Sequence, residues 1–334
     1  MTPFLTLLIS AVLPFAGQVA DAAVRVELQG STMGTRYAVT YVDADDSRRV
    51  DIHAEIAALF VEIDEELSNW NAQSWVSQFN RNETLDAVAV PAHAAAVLRQ
   101  ALQIADQSGG ALDPTVSPLI ELWGFGSSTE WAGPPLPFEI EQTLERCGST
   151  KLEFDAAQRV LRKQVPDLQL NLSSVAKGYA VDQVAAVLAG QGIEDFLINI
   201  GGEVRASGMR TDGRAWRVRI AAPQRDAVVS NRGLILSEGA IATSGNAQRF
   251  LEHKGERYAH LIDPRSGRPV ENRVRSVSVR ALSCAQADGW ATACYVLGRE
   301  AGMALIESLE DLEALFYLEN EVGGDLLIHA STGW

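Results

Sequence analysis

Positive charge is what this chain has least of. Its 28 lysines and arginines face 43 aspartates and glutamates, a formal net charge of −15 over 334 residues. Affinity for a nucleic-acid backbone rests on basic side chains that release counterions, so a nucleic-acid partner is excluded in practice. The same acidity repels an anionic substrate overall. Any phosphate chemistry would need a local reversal of the field by backbone N–H groups, a lysine or a metal ion. Cysteine is also scarce. Cys147, Cys284 and Cys294 have no metal-type spacing, and an odd count allows at most one internal bridge. We read them as buried, inert thiols. Internal repeats and low-complexity linkers are absent as well, and Ser127–Pro137, with Pro134, Pro135 and Pro137, is the best candidate for a long surface loop.

The chain also lacks a comfortable transmembrane run. Residues 1–20 are strongly apolar, but Pro14 and Gly17 interrupt them and the apolar core is short. Residues 1–22 read better as a secretory signal, with Ala20 and Ala22 near the cleavage point, although the n-region has no Lys or Arg. A buried N-terminal helix is the alternative. No cysteine follows this segment, so a lipobox anchor is not expected, and residues 23–334 would form the mature protein without a stable membrane anchor.

What is present is an ordinary globular composition, 47% hydrophobic and 21% charged, long enough to bury a sizeable core. Ile52, Ile56, Leu59, Phe60, Ile63 and Leu67 recur at helical spacing, predicting an amphipathic helix over 52–67. A second, Ala-rich helix over 92–107 would stop at Gly109-Gly110. A third spans about Ser174–Leu188, a fourth holds Asp288 and Thr292, and Ala301–Leu309 makes a fifth. Strand-like runs are Tyr37–Val42, Leu168–Leu172, Phe196–Ile200, Trp216–Ile220, Val274–Ala281 and Leu315–Leu318. In Val274–Ala281 the mostly polar set Val274, Ser276, Ser278 and Arg280 alternates with Arg275, Val277, Val279 and Ala281, suggesting antiparallel sheet with one wet face. A single α+β unit, with an antiparallel β-sheet core and packed helices, is the simplest architecture.

Asp288 and Thr292 stand four apart in Ala287-Asp-Gly-Trp-Ala-Thr-Ala-Cys294. On a helix they share one face and present two oxygen ligands, suited to Mg²⁺ or Ca²⁺ rather than zinc. Taken alone, Asp288 reads equally as a helix N-cap and Thr292 as a small core residue. Other motifs precede this one. They are Gly30-Ser-Thr-Met-Gly-Thr35, Leu67-Ser-Asn-Trp-Asn71, Leu112-Asp-Pro-Thr-Val-Ser-Pro-Leu119 with Trp123-Gly-Phe125, Asn171-Leu-Ser-Ser-Val-Ala-Lys-Gly-Tyr-Ala-Val-Asp182, Asn199-Ile-Gly-Gly-Glu203, Ala242-Thr-Ser-Gly245 and His260-Leu-Ile-Asp-Pro264.

In this order and at these intervals, the series resembles the ApbE family of FAD:protein FMN transferases, from about Gly30 to Leu318. The resemblance implies a T-fold-like α+β catalytic domain and a periplasmic enzyme that uses FAD as substrate with Mg²⁺, Ca²⁺ being an alternative. It would transfer FMN to a Thr or Ser of an exported acceptor flavoprotein bearing Asp-Gly-x-x-Thr/Ser, releasing AMP. Such acceptors include subunits of Na⁺-translocating (Nqr) and Rnf-type respiratory complexes. The competing readings are a metal-dependent FAD pyrophosphatase, which shares every residue named here, and a non-catalytic flavin-binding protein, which the pair Asp288 and Thr292 argues against.

By this resemblance Asp288, Thr292 and the carbonyl of Ala176 hold the metal. Lys177 contacts phosphate near a helix start, and Asp182 orients Lys177 or pairs on the surface. His260 accepts the acceptor hydroxyl's proton or positions the phosphate; a structural histidine is the alternative. Met33 and Trp70 would sandwich the isoalloxazine. Asn71 and Asp113 would read polar edges of the cofactor, though turn and cap roles are as ordinary. Gly201, Gly202, Ser244, Ile262 and Asp263 complete the binding set, with Asp263 also fit to cap a turn. Asn171 and the pair Ser173-Ser174 depart from the Asp and the glycine pair common in the family. Thr292 also lies in a local Asp-Gly-x-x-Thr pattern like that of acceptors, but a mid-helix threonine is poorly exposed for modification.

Overall fold

The computed structural model describes residues 23–126, 131, 133–220, 234–245, 250–320 and 326–334. The apolar N-terminal run, and residues 127–130 and 132 of the expected loop, lie outside the described residues.

Eight strands form one sheet: β1 (Val24–Thr32), β2 (Thr35–Asp43), β3 (Phe196–Ile200), β4 (Glu203–Ser207), β5 (Glu238–Gly245), β6 (Val274–Ala281), β7 (Glu313–Leu318) and β8 (Leu327–Ala330). Their spatial order follows the chain, and every neighbouring pair is antiparallel. Six helices fill the connection between β2 and β3: α1 (Arg49–Leu67), α2 (Trp75–Arg81), α3 (Ala92–Gln107), α4 (Ser117–Leu122), α5 (Pro137–Leu144) and α6 (Ser173–Gly190). The seventh, α7 (Cys284–Glu307), connects β6 to β7. This is the α+β architecture with an antiparallel core that the sequence predicts.

Alternation places Val26 and Leu28 of β1 and Tyr37, Val39 and Tyr41 of β2 in one core with Ile52, Ile56, Phe60 and Ile63 of α1. Helix α6 packs between other helices and the sheet. It buries Val175, Ala180, Val181, Val184 and Leu188, and it contacts α1, α3, α7 and the sheet. A helix apolar on most sides belongs in such a position. Helix α3 ends where expected: Gly109 and Gly110 take φ of 60° and 78°, and the Gly110 N–H bonds the Ala105 carbonyl at 2.8 Å.

The fourth and fifth helices are the two halves of α7, separated at Gly298, whose φ of 77° and ψ of 176° interrupt the helical path. Two expectations need correction. Leu168–Leu172 is no strand. The backbone of Leu170 is held by side chains instead: Asn80 Oδ1 accepts its N–H (2.7 Å), and its carbonyl accepts from Asn69 and Asn80 Nδ2 (2.9 Å each). Strand β6 has no wet face, since Ser276 and Ser278 are buried and Ser278 Oγ bonds Thr243 Oγ1 of β5 at 2.7 Å. The cysteines are free and buried, and burial pushes the thiols of Cys147 and Cys294 up to about 12. Among the described residues no helix is long and apolar enough to cross a membrane.

Candidate active site

Helices α6 and α7 cross in close contact beside β4 and β5, and a cavity of about 930 Å³ opens next to that crossing. The crossing depends on one residue. A Cβ on Gly178 would fall 2.2 Å from the Cys284 carbonyl oxygen, so only glycine lets the two backbones approach this closely. Its N–H donates to Asp288 Oδ2 at 3.0 Å. Each remaining residue of Ala176–Asp182 then has a distinct place. Ala176 and Lys177 line the cavity, and the Tyr179 hydroxyl meets His93 Nδ1 at 2.9 Å.

Asp182 does not line the cavity, and it does not orient Lys177. Its carboxylate accepts from Arg205, from Ser283 Oγ (2.9 Å) and from the N–H groups of Cys284 (3.0 Å) and Ala285 (2.9 Å). It therefore caps the start of α7, where N–H groups lack helical partners and favour negative charge. The partner expected of Asp182 is Glu203, at the head of β4, which pairs directly with the Lys177 ammonium. Glu203 is 2% exposed, and its Oε2 is buried without a hydrogen-bond partner among the described residues.

Asp288, 4% exposed, completes a buried charged group at the cavity wall. Burial pushes its carboxyl up to about 7, Lys177 opposes that rise and Glu203 adds to it. Burial disfavours the ammonium of Lys177, yet Asp288 and Glu203 outweigh it and hold the lysine above its ordinary range. Asp288 is not an N-cap, a role that Ser283 fills by accepting from the Gln286 N–H. One turn on, Thr292 Oγ1 lies 3.1 Å from Ser244 Oγ of β5. Thr292 also lines the cavity.

Met33 is at the tip of the β1–β2 hairpin with φ of 48°, followed by Gly34 at 70°. A tight two-residue hairpin favours glycine or asparagine there, and here a methionine is held left-handed against the cavity. Trp70, 68% exposed, also lines the cavity, as do Asp113, Ser244, Ile262 and His260. The ring of His260 meets Phe125 edge-on, with centroids 6.4 Å apart.

Several predicted binding residues do not line it. Asn71 Oδ1 accepts from the Gln73 N–H and its amide donates to Asp64, which is a turn role. Asp263 is engaged by Arg265 through its backbone N–H and guanidinium. Gly201 and Gly202 form the left-handed turn that delivers Glu203 to the wall. Asp113 reaches the cavity, but its oxygens accept from Thr115 and from the Ser149 N–H, which makes it chiefly a turn organiser. Sequence reasoning missed Glu203, Asp64, Asn69, Asn80 and Arg81, all on the wall. Among the described residues, no three His, Cys, Asp or Glu side chains form a metal cluster.

The family model described as "ApbE family" matches residues 33–316, and the chain belongs to that family. It is similar to the FAD:protein FMN transferase of Vibrio cholerae, 38% identical over 289 residues that cover 86% of this chain and 85% of the relative. The Haemophilus influenzae protein of the same name is 32% identical, covering 90% of each. Among solved structures, the flavin transferase ApbE from Vibrio cholerae superposes with a TM-score of 0.81 at 36% identity, over 93% of this chain and 98% of that one. The apo flavinyl transferase ApbE of Pseudomonas stutzeri gives 0.83 at 32% identity, over 93% and 95%.

Proposed function

We propose that this chain is an FAD:protein FMN transferase that uses Mg²⁺ to move FMN from FAD onto a Thr or Ser hydroxyl of an exported acceptor, releasing AMP. The observation that carries this reading is the buried group Asp288, Lys177 and Glu203 beside Thr292, on the wall of a cavity large enough for a dinucleotide, in a chain of this family.

The residues fit a magnesium ion. Asp288, Thr292 and the Ala176 carbonyl are hard oxygen donors, and Mg²⁺ commonly takes one or two carboxylates with waters and substrate phosphates. A metal cluster of three acidic or imidazole side chains is not required for that. When bound, the ion offsets pyrophosphate charge and stabilises the AMP leaving group. The acidic wall, with Asp64, Glu121, Glu203 and Asp288, makes such an offset necessary for an anionic substrate.

The protein's own groups do the rest. Lys177, kept charged by its carboxylate neighbours, supplies a fixed cation for a phosphate oxygen. Met33 and Trp70 cover the faces of the isoalloxazine. Ser244, hydrogen-bonded to Thr292, fixes the hydroxyl's direction. A ring nitrogen of His260 takes the proton of the acceptor hydroxyl as its oxygen bonds to the FMN phosphorus and the bond to AMP breaks. Export to the periplasm, guided by residues 1–22 as a signal, belongs to the same proposal. The test is turnover of FAD by the purified chain with an acceptor domain carrying Asp-Gly-x-x-Thr. Loss of flavinylation in Asp288→Ala and Lys177→Met, with both variants folded, supports the assignment, and full activity of Asp288→Ala in metal-depleted buffer removes it.

A further inference from the structure

Lys177 has two buried carboxylates within electrostatic reach but takes only one as its direct partner. Its ammonium pairs with Glu203, while Asp288 acts on it by charge. Among the described residues, the one hydrogen bond to the Asp288 side chain comes from the Gly178 backbone. The division of labour is built into the fold. Lys177 and Gly178 are adjacent on α6, so the backbone that satisfies Asp288 also projects the lysine, and the left-handed Gly201-Gly202 turn brings Glu203 to meet it. Among the described residues Glu203 has no other hydrogen-bond partner: Oε1 takes the lysine, and Oε2 is buried and unpartnered. A buried carboxylate this poorly satisfied is costly to keep, which argues for a task beyond stability.

We propose that Glu203 is a positioning residue that holds the Lys177 ammonium away from Asp288 and so keeps the Asp288 carboxylate open to a divalent cation. This rests on the reading of Asp288 as a metal ligand. Without the charge of Glu203, the ammonium turns to the remaining buried carboxylate, and Lys177 competes with the cation for Asp288. Charge-assisted hydrogen bonds at buried sites are strong enough that this competition weakens cation affinity on the order of tenfold or more.

The test measures Mn²⁺ binding alone, by paramagnetic resonance on metal-free protein without flavin or acceptor. Glu203→Gln is expected to bind Mn²⁺ at least about tenfold more weakly than the unmodified chain, and Lys177→Met added to it is expected to restore affinity. A crystal structure of metal-free Glu203→Gln is expected to show the Lys177 ammonium hydrogen-bonded to the Asp288 carboxylate. An unmoved Lys177, or unchanged Mn²⁺ affinity, overturns the proposal, and weak binding that persists in the double variant makes Glu203 a ligand instead. Asp288→Asn separates the two readings. Loss of Mn²⁺ binding in that variant upholds the metal site whatever Glu203 does. Mn²⁺ binding unchanged by Asp288→Asn, or absent from the unmodified chain, defeats the metal reading and this proposal together.

Discussion

Gly178→Ala probes the crossing on which the whole site is built. The added methyl would lie 2.2 Å from the Cys284 carbonyl oxygen, 2.5 Å from its carbonyl carbon and 2.8 Å from the Ala285 nitrogen. All three atoms are backbone in the first turn of α7, and Asp182 ties that turn down through two N–H groups. No side chain can swing away, so α6 and α7 must separate. Overpacking of this kind costs about 1–3 kcal/mol and more when backbone must shift, and alanine's better helix propensity returns up to ~1 kcal/mol. A net loss of about 2 kcal/mol lowers the melting temperature by about 3 °C in a chain of this size. Scanning calorimetry of the metal-free protein measures it. Gly190→Ala is the internal control, because it lies at the end of the same helix with nothing within 4 Å of its Cβ position, and it should melt at or above the unmodified protein. Gly178→Ala melting within about 1 °C of the unmodified protein would refute the argument.

Three further outcomes follow from the same geometry. Asp288 has its carboxyl raised by burial to about 7 from 3.8, so the native state keeps a proton that the unfolded chain has lost. Its contribution therefore weakens stability as pH rises from about 4 to about 7, and Asp288→Asn should raise the melting temperature of metal-free protein at pH 8 but not below pH 4; equal shifts at both pH values would contradict this. Asp182→Ala removes a cap with four donors and should cost about 2–3 kcal/mol in denaturant unfolding, with KM for FAD unchanged; a raised KM at full stability would return Asp182 to the site. Met33→Gly relieves a left-handed backbone and should stabilise the chain by about 1 kcal/mol while weakening FAD binding by fluorescence titration; unchanged affinity would remove Met33 from the flavin site.

The sequence carried the site's two ends better than its middle. Asp288 and Thr292 were legible because residues four apart share a helix face, and they do line one cavity. Asp182 misled for the same geometric reason in reverse. Five residues along a helix rotate by about 140°, so Lys177 and Asp182 point to different neighbours, one to the cavity and one to the start of α7. Glu203 closes the motif that begins at Asn199, but its meaning depends on Lys177, which is 26 positions away in sequence and meets it only when β4 and α6 pack. Leu168–Leu172 has strand composition, yet the backbone of its central Leu170 bonds to the side chains of Asn69 and Asn80, a substitution of side chains for a ladder that periodicity does not reveal. The polar face of Val274–Ala281 read as wet because serine can face water or, as here, satisfy a neighbouring hydroxyl inside the protein.

The balance of products when the purified chain is incubated with FAD, Mg²⁺ and an acceptor domain decides between transfer and hydrolysis. AMP is expected only when the acceptor is present, in equal amount to flavin bound covalently to the acceptor's Thr or Ser. AMP and free FMN in the absence of acceptor would make the chain a pyrophosphatase and contradict the transferase reading.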